Sequence, residues 1–258
     1  VGYKSLFSNT ANNNTAFGHE SLLSNTTASE NTAVGYNALK TVTTGGNNTA
    51  IGNQCLENNT TAQFNSGVGH HALEKNTTGA SNTAVGSDCL RENTTASNNT
   101  AIGKGALTNN TTGTQNTAVG ASALDANTTG LNNSCLGQGA LGANTTGNNN
   151  TAIGRFALNE NTTGIENVAV GLSALRVNST ANYNVGIGKS ALELNTTGTQ
   201  NVAVGAFSLD ANTTGNNNTA LGTSTLGANT TAEYCVAVGH SALALNTSGE
   251  GNTAVGRD

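Results

Sequence analysis

The sequence predicts an all-β chain, a parallel β-solenoid of about fifteen coils with one repeat unit per coil. Three observations predict it: a strict period, a unit composition that resists helix, and columns of like residues. An apolar residue followed by Gly recurs from Gly2 and Gly18 through Gly35, Gly52 and Gly69 to Gly239 and Gly256. Every step is seventeen except the first, which is one shorter, the missing residue falling between Thr10 and Asn14. Such a unit is too short for two helices and their turns. It is also full of Asn, Gly and Thr, which disfavour helix.

Numbered from the Asn that opens it, the unit reads N-T-A-[VI]-G-x-x-A-L-x-x-N-T-T-G-x-x, as in Asn116–Asn132. It offers three short extended pieces, Thr-Ala-Val, x-Ala-Leu and Asn-Thr-Thr, punctuated by Gly at position five and Gly or Ala at fifteen. Position nine is Leu throughout, from Leu6 to Leu243, and position eight is always small. Charged residues gather at positions six, seven, ten, eleven, sixteen and seventeen, the variable surface. Stacked at the interstrand spacing of ~4.8 Å, fifteen coils extend roughly 70 Å.

Composition sets the remaining bounds. The chain has 258 residues, net charge −5, 9% charged and 3% aromatic residues, 33 Gly and no Pro, Met or Trp. With five Phe and few other large side chains it cannot build a mixed globular core. Low complexity alone would suit disorder, but the period argues for a repeat protein. There is no apolar run of about 18 residues to span a membrane, and with no charged-then-apolar start to the sequence no secretion signal is visible in it. Nine scattered Lys and Arg make no basic footprint for nucleic acid. The whole of 1–258 reads as one repeat array. It begins at Val1, and both Val1-Gly2 and Val255–Asp258 are mid-unit. It is therefore expected to be an excerpt of a longer fibrous protein or one subunit of an end-to-end filament.

In an extended strand, neighbouring side chains point to opposite faces. Ala118 and Val119 should then face opposite ways, and so should Ala123 and Leu124. Both members of each pair are restricted, so both faces are expected to be covered, one by the coil interior and one by a second chain. The expected core ladder is Val34, Leu39, Val85, Leu90, Val119, Leu124, Ile153, Leu158, Val204 and Leu209. One Val and one Leu per coil bury little area against the entropy of ordering the whole unit, which again favours self-association.

No catalytic set, cofactor motif or metal set stands out. His19, His70 and His240 hold position six and His71 position seven, all on the variable surface, and His70-His71 lacks paired ligands at zinc spacing. The glycines follow the coil and form no phosphate loop. Cys55 and Cys89 share a column two coils apart, about 9.6 Å by strand spacing, beyond disulfide reach. Cys135 and Cys235 lie in other columns. Acidic residues such as Glu74, Glu92, Asp125 and Glu193 sit singly on different coils, whereas polysaccharide hydrolysis needs a carboxylate pair.

The Asn-Thr-Thr column leaves three readings open. It is an Asn ladder bonding coil to coil. Or it is a set of N-glycosylation acceptors at Asn76, Asn93, Asn127, Asn144, Asn161, Asn195, Asn212 and Asn229 if the side chains face outward. Or its outward Thr rows bind ice, although adjacent Thr point opposite ways.

The unit resembles the N-T-A-V-G-x-x-A-L-x-x-N-T-T-G array of bacterial and phage tail-fibre-domain proteins along the whole chain, as in Asn150–Leu158 followed by Asn161–Gly164. More distantly it is similar to the head repeat of trimeric autotransporter adhesins, through Val168–Gly171 and Val202–Gly205. That resemblance implies a left-handed β-roll assembled as a homotrimer. The expected function is a non-enzymatic extracellular fibre, shaft or filament on a cell or virion surface. Its partner is itself, with a surface glycan as a further candidate. The alternatives are an adhesin presenting Phe64, Leu131, Arg155, Phe156 or Tyr234 to a glycan or host surface, and an ice-binding solenoid.

Overall fold

The computed structural model describes residues 1–257. The chain is a parallel β-solenoid of about 14 turns with about 17 residues per turn, and no helix occurs among the described residues. It divides into two compact units, Val1–Leu131 and a second from Asn132 onward. The first carries β1 (Thr15–Phe17), β2 (Thr32–Val34), β3 (Thr49–Ile51), β4 (Ser66–Val68), β5 (Thr83–Val85), β6 (Thr100–Ile102) and β7 (Thr117–Val119). The second carries β8 (Ser134–Leu136), β9 (Thr151–Ile153), β10 (Val168–Val170), β11 (Val185–Ile187), β12 (Val202–Val204), β13 (Thr219–Leu221), β14 (Val236–Val238) and β15 (Thr253–Val255). Within each unit, successive strands pair in parallel with like over like. Thr100 lies beside Thr117, Ala101 beside Ala118 and Ile102 beside Val119.

Only the Thr-Ala-Val piece is a strand. The x-Ala-Leu and Asn-Thr-Thr pieces, expected to be extended, are turns and bends. The cause is a series of left-handed residues in each coil. Ser122 has φ 51°, Leu124 φ 53° and Gln115 φ 60°. Leucine has no intrinsic liking for this region, which costs an L-residue about 1–2 kcal/mol. The turns nevertheless ladder from coil to coil: Leu107 N–H donates to the Ala123 carbonyl at 3.0 Å and Thr77 N–H to the Thr94 carbonyl at 2.9 Å. The glycine at position five is required by its backbone. Gly154 has φ 131°, and a Cβ there would run into the carbonyl oxygen of Gly171 in the next coil.

The core corrects the expected ladder. Leu39, Leu90, Leu124, Leu158 and Leu209 are fully buried, but so are the alanines beside them, such as Ala38, Ala123 and Ala157. The left-handed leucine breaks the strand alternation and turns both side chains inward, so this pair supplies no second face. The Thr-Ala-Val piece does alternate, with alanine inside. Ala33, Ala84, Ala118, Ala152 and Ala203 are fully buried. Val34, Val85, Val119, Ile153 and Val204 stand on the outer face and are half-exposed to exposed, so they belong to the surface rather than the core. The interior is too narrow for them. Where glycine replaces the alanine, at Gly186, an added Cβ would already press on Leu175 of the preceding coil at 3.2 Å.

Candidate functional site

Two features of the coil could carry function: the asparagine columns and the outer strand face. The Asn-Thr-Thr asparagines point inward. Asn76, Asn93, Asn127, Asn144, Asn161, Asn195, Asn212 and Asn229 are each 0% exposed, and their amide nitrogens are committed. Asn93 Nδ2 donates to Asn76 Oδ1 at 2.8 Å and to the Ala96 carbonyl at 3.0 Å. Asn212 Nδ2 donates to Asn195 Oδ1 at 2.8 Å and to the Gly215 carbonyl at 3.1 Å. A glycan would have to replace one of those hydrogens inside the coil, so the glycosylation reading is corrected: these residues form the ladder.

A second buried ladder escaped the sequence reading. The asparagine that opens most units is also internal, as at Asn31, Asn48, Asn65, Asn82 and Asn99. Its Oδ1 accepts the backbone N–H of its counterpart one coil on, as Asn82 Oδ1 does from Asn99 at 3.0 Å. Its Nδ2 reaches the carbonyl at position fifteen of its own unit, as Asn99 does to Gly113 at 3.0 Å. The near-constant Asn before Thr-Ala-Val was the available signal. Two amide columns, satisfied at nearly every rung, supply polar cohesion that the one Leu and small alanines buried in each coil lack.

The Thr hydroxyl after each ladder asparagine is also engaged. Thr77 Oγ1 donates to the Thr94 carbonyl at 3.0 Å and Thr196 Oγ1 to the Thr213 carbonyl at 2.9 Å. The regular outward rows lie on the strands instead. Positions two and four of β5, β6 and β7 present Thr83, Thr100 and Thr117 beside Val85, Ile102 and Val119. Val85 and Ile102 are 38% and 39% exposed, which leaves a continuous aliphatic stripe only partly covered.

The remaining surface is varied. Phe64, Leu131 and Tyr234 are exposed, and the Arg155 guanidinium lies 4.5 Å from the centre of the Phe156 ring. Tyr3, His19 and Tyr36 stack from coil to coil at 5.2 and 5.1 Å. Three of the four acids considered for hydrolysis are tied to cations. Glu74 meets Arg91 at 2.9 Å, Glu92 meets Lys75 at 2.6 Å and Glu193 meets Arg176 at 3.0 Å. Asp125 is partly desolvated, which raises its pKa. His240 Nδ1 lies 3.0 Å from Ser241 Oγ. His70 and His71 meet Asp88, one coil on, with ligand-capable atoms within 4.8 Å of one another. A partner one full period away is invisible to zinc spacings read along a linear chain. All four cysteines are buried, and burial pushes the Cys55 thiol up to about 12. A cavity of about 690 Å³ lies over the last coil, lined by Leu243, Leu245, Val255 and their neighbours.

No helix among the described residues is long and apolar enough to cross a membrane. No known protein family matches the chain, and no curated protein matches it in sequence.

Proposed function

We propose that this chain is a non-enzymatic structural element, one length of a rigid extracellular fibre or shaft on a cell or virion surface. It works as a homo-oligomer. Three copies with left-handed coils is the arrangement implied by its more distant resemblance to the head repeat of trimeric autotransporter adhesins. The observation that carries the reading is the half-exposed stripe of Val, Ile or Leu repeated along the strands of each unit. Contiguous apolar surface of this kind marks an interaction face, and a stripe with the periodicity of the coil is best matched by the same stripe on another copy. Each β-branched residue that passes from half-buried to buried adds about 1 kcal/mol. The gain is repeated at every rung.

The test is the mass of the full chain in solution, before and after replacing Val85, Ile102 and Val119 together with Thr. Threonine keeps the β-preference and removes apolar area. A three-copy mass that falls to one copy, with unchanged circular dichroism, supports the proposal. A single-copy mass for the unaltered chain at micromolar concentration overturns it.

A second reading has its own observation. On the outer strand face, hydroxyl and aliphatic rows run side by side, each stepping from coil to coil at strand spacing, a regular array suited to ordered water. Ice binding then uses Thr83, Thr100 and Thr117 with their aliphatic neighbours, and not the Asn-Thr-Thr rows. Thermal hysteresis in a dilute solution of the chain would favour it; its absence leaves the fibre reading.

A further inference from the structure

We propose that His70, His71 and Asp88 form a binding site for a first-row divalent cation of the zinc type, clamping two successive coils. The geometry starts from the backbone. His71 is left-handed, φ 57°, and its ring lies against that of His70 with centroids 3.6 Å apart. Asp88 N–H donates to the His70 carbonyl at 2.9 Å, which brings the next coil's carboxylate to the same place.

The hydrogen-bond network fixes the chemistry. Gln54 Nε2 donates to Glu57 Oε2 at 2.7 Å, so Gln54 presents its oxygen to His71 Nε2, 2.9 Å away. An amide oxygen only accepts, so Nε2 carries the hydrogen and Nδ1 of the neutral ring is a lone pair. That lone pair faces Asp88 Oδ1 at 3.5 Å and Glu74 Oε2 at 3.8 Å. Asp88 Oδ2 is occupied by the Ser87 hydroxyl at 2.8 Å, and Glu74 Oε2 by Arg91 Nε at 2.9 Å. A lone pair set against carboxylate oxygens is repulsive unless a proton or a metal cation lies between them, and the metal is the reading tested below.

The spacing suits a metal. Ligands ~2.0–2.2 Å from a tetrahedral zinc lie about 3.4 Å apart, close to the separation of His71 Nδ1 and Asp88 Oδ1. Two imidazoles and one carboxylate favour zinc, nickel or copper over magnesium or calcium. His70 is exposed, so water completes the coordination. The Gln54–His71 and Ser87–Asp88 bonds are the outer partners that orient ligands in metal sites. Arg91 keeps Glu74 outside the ligand set.

The test uses the full chain stripped with a chelator and titrated with Zn²⁺ by calorimetry, and with Co²⁺ by visible absorption. We expect one saturable site, cobalt bands of tetrahedral intensity, and a rise in the melting temperature with zinc. His71→Gln and Asp88→Asn should each weaken binding at least about tenfold, and Gln54→Ala by about tenfold through loss of the outer partner, all with unchanged circular dichroism. Three results overturn the proposal: no saturable zinc binding, zinc binding that survives both ligand substitutions, or an Nδ1 proton on His71 seen by nitrogen NMR that zinc fails to displace.

Discussion

Asn25 Oδ1 is buried without a hydrogen-bond donor because Val42 occupies the next rung of its column. Elsewhere that rung is an asparagine whose Nδ2 supplies the bond, as Asn93 does for Asn76 at 2.8 Å. Val42 is itself fully buried and offers nothing polar. The column resumes at Asn59, whose Nδ2 donates to the Ala62 carbonyl at 3.1 Å. An orphaned buried acceptor costs about 1–3 kcal/mol. Val42→Asn should therefore stabilise the first unit by about that amount, read as a higher denaturation midpoint. An unchanged or lower midpoint would mean that the column does not need its missing rung.

The left-handed leucine can be separated from its packing. Leu124→Ala should cost about 2–5 kcal/mol for the lost core side chain. Leu124→Gly removes one more carbon but relieves the backbone, since glycine enters the left-handed region freely. The two variants should fall within about 1 kcal/mol of each other in denaturant melts. Were glycine the worse by more than that, as inside a helix or strand, the φ of 53° at this position would not be strained.

Gly154→Ala should destabilise its coil by about 1–3 kcal/mol, the cost of a side chain in a backbone region that excludes one, with more added because the new methyl meets the Gly171 carbonyl. Hydrogen exchange should show the loss of protection centred on β9 and β10. Protection lost evenly along the chain would argue against a local clash.

Asp125 and Asp210 carry a pH signature. Burial raises both pKa values, partly offset by backbone N–H groups. Folded pKa values above the unfolded ones mean that the folded state holds more protons. The associated stability is fully present below the ordinary Asp range and is lost as pH rises through the folded values. Glu20 acts in the opposite sense: its hydrogen bond to Lys40 lowers its pKa, and that contribution is lost on acidification. Replacing both aspartates with Asn should raise the melting temperature at neutral pH and leave it nearly unchanged in acid. A difference that does not vary with pH would show that these carboxyls are not desolvated.

The chain made in a eukaryotic secretory host should carry no glycan on its folded fraction at Asn127, Asn144, Asn161 or their column mates. Peptide mapping after deglycosylation reads this directly, and an occupied site on folded material would place these side chains outside the coil.

Much of the fold was legible in the sequence because the period survives in every unit after the first and like residues stack. Alternation also separated Ala118 from Val119 correctly. It could not say which faces inward, because hydrophobicity favours valine while the narrow interior takes small residues such as Ala118, Gly67 or Cys135 at this position. Alternation failed outright at Ala123-Leu124, since nothing in a leucine announces a left-handed backbone. The sequon at Asn127 reads identically whether the side chain points in or out; only the ladder decides. The His70, His71 and Asp88 cluster was hidden by distance along the chain, although a search one period away would have found it.

Within each unit, the side-chain rungs of both asparagine columns run from a coil to its immediate neighbour, as at Asn76–Asn93 and Asn195–Asn212. Such an array has nearest-neighbour energetics, so removing or duplicating one whole repeat leaves every other rung as it was. A repeat can then be gained or lost without redesign of a core.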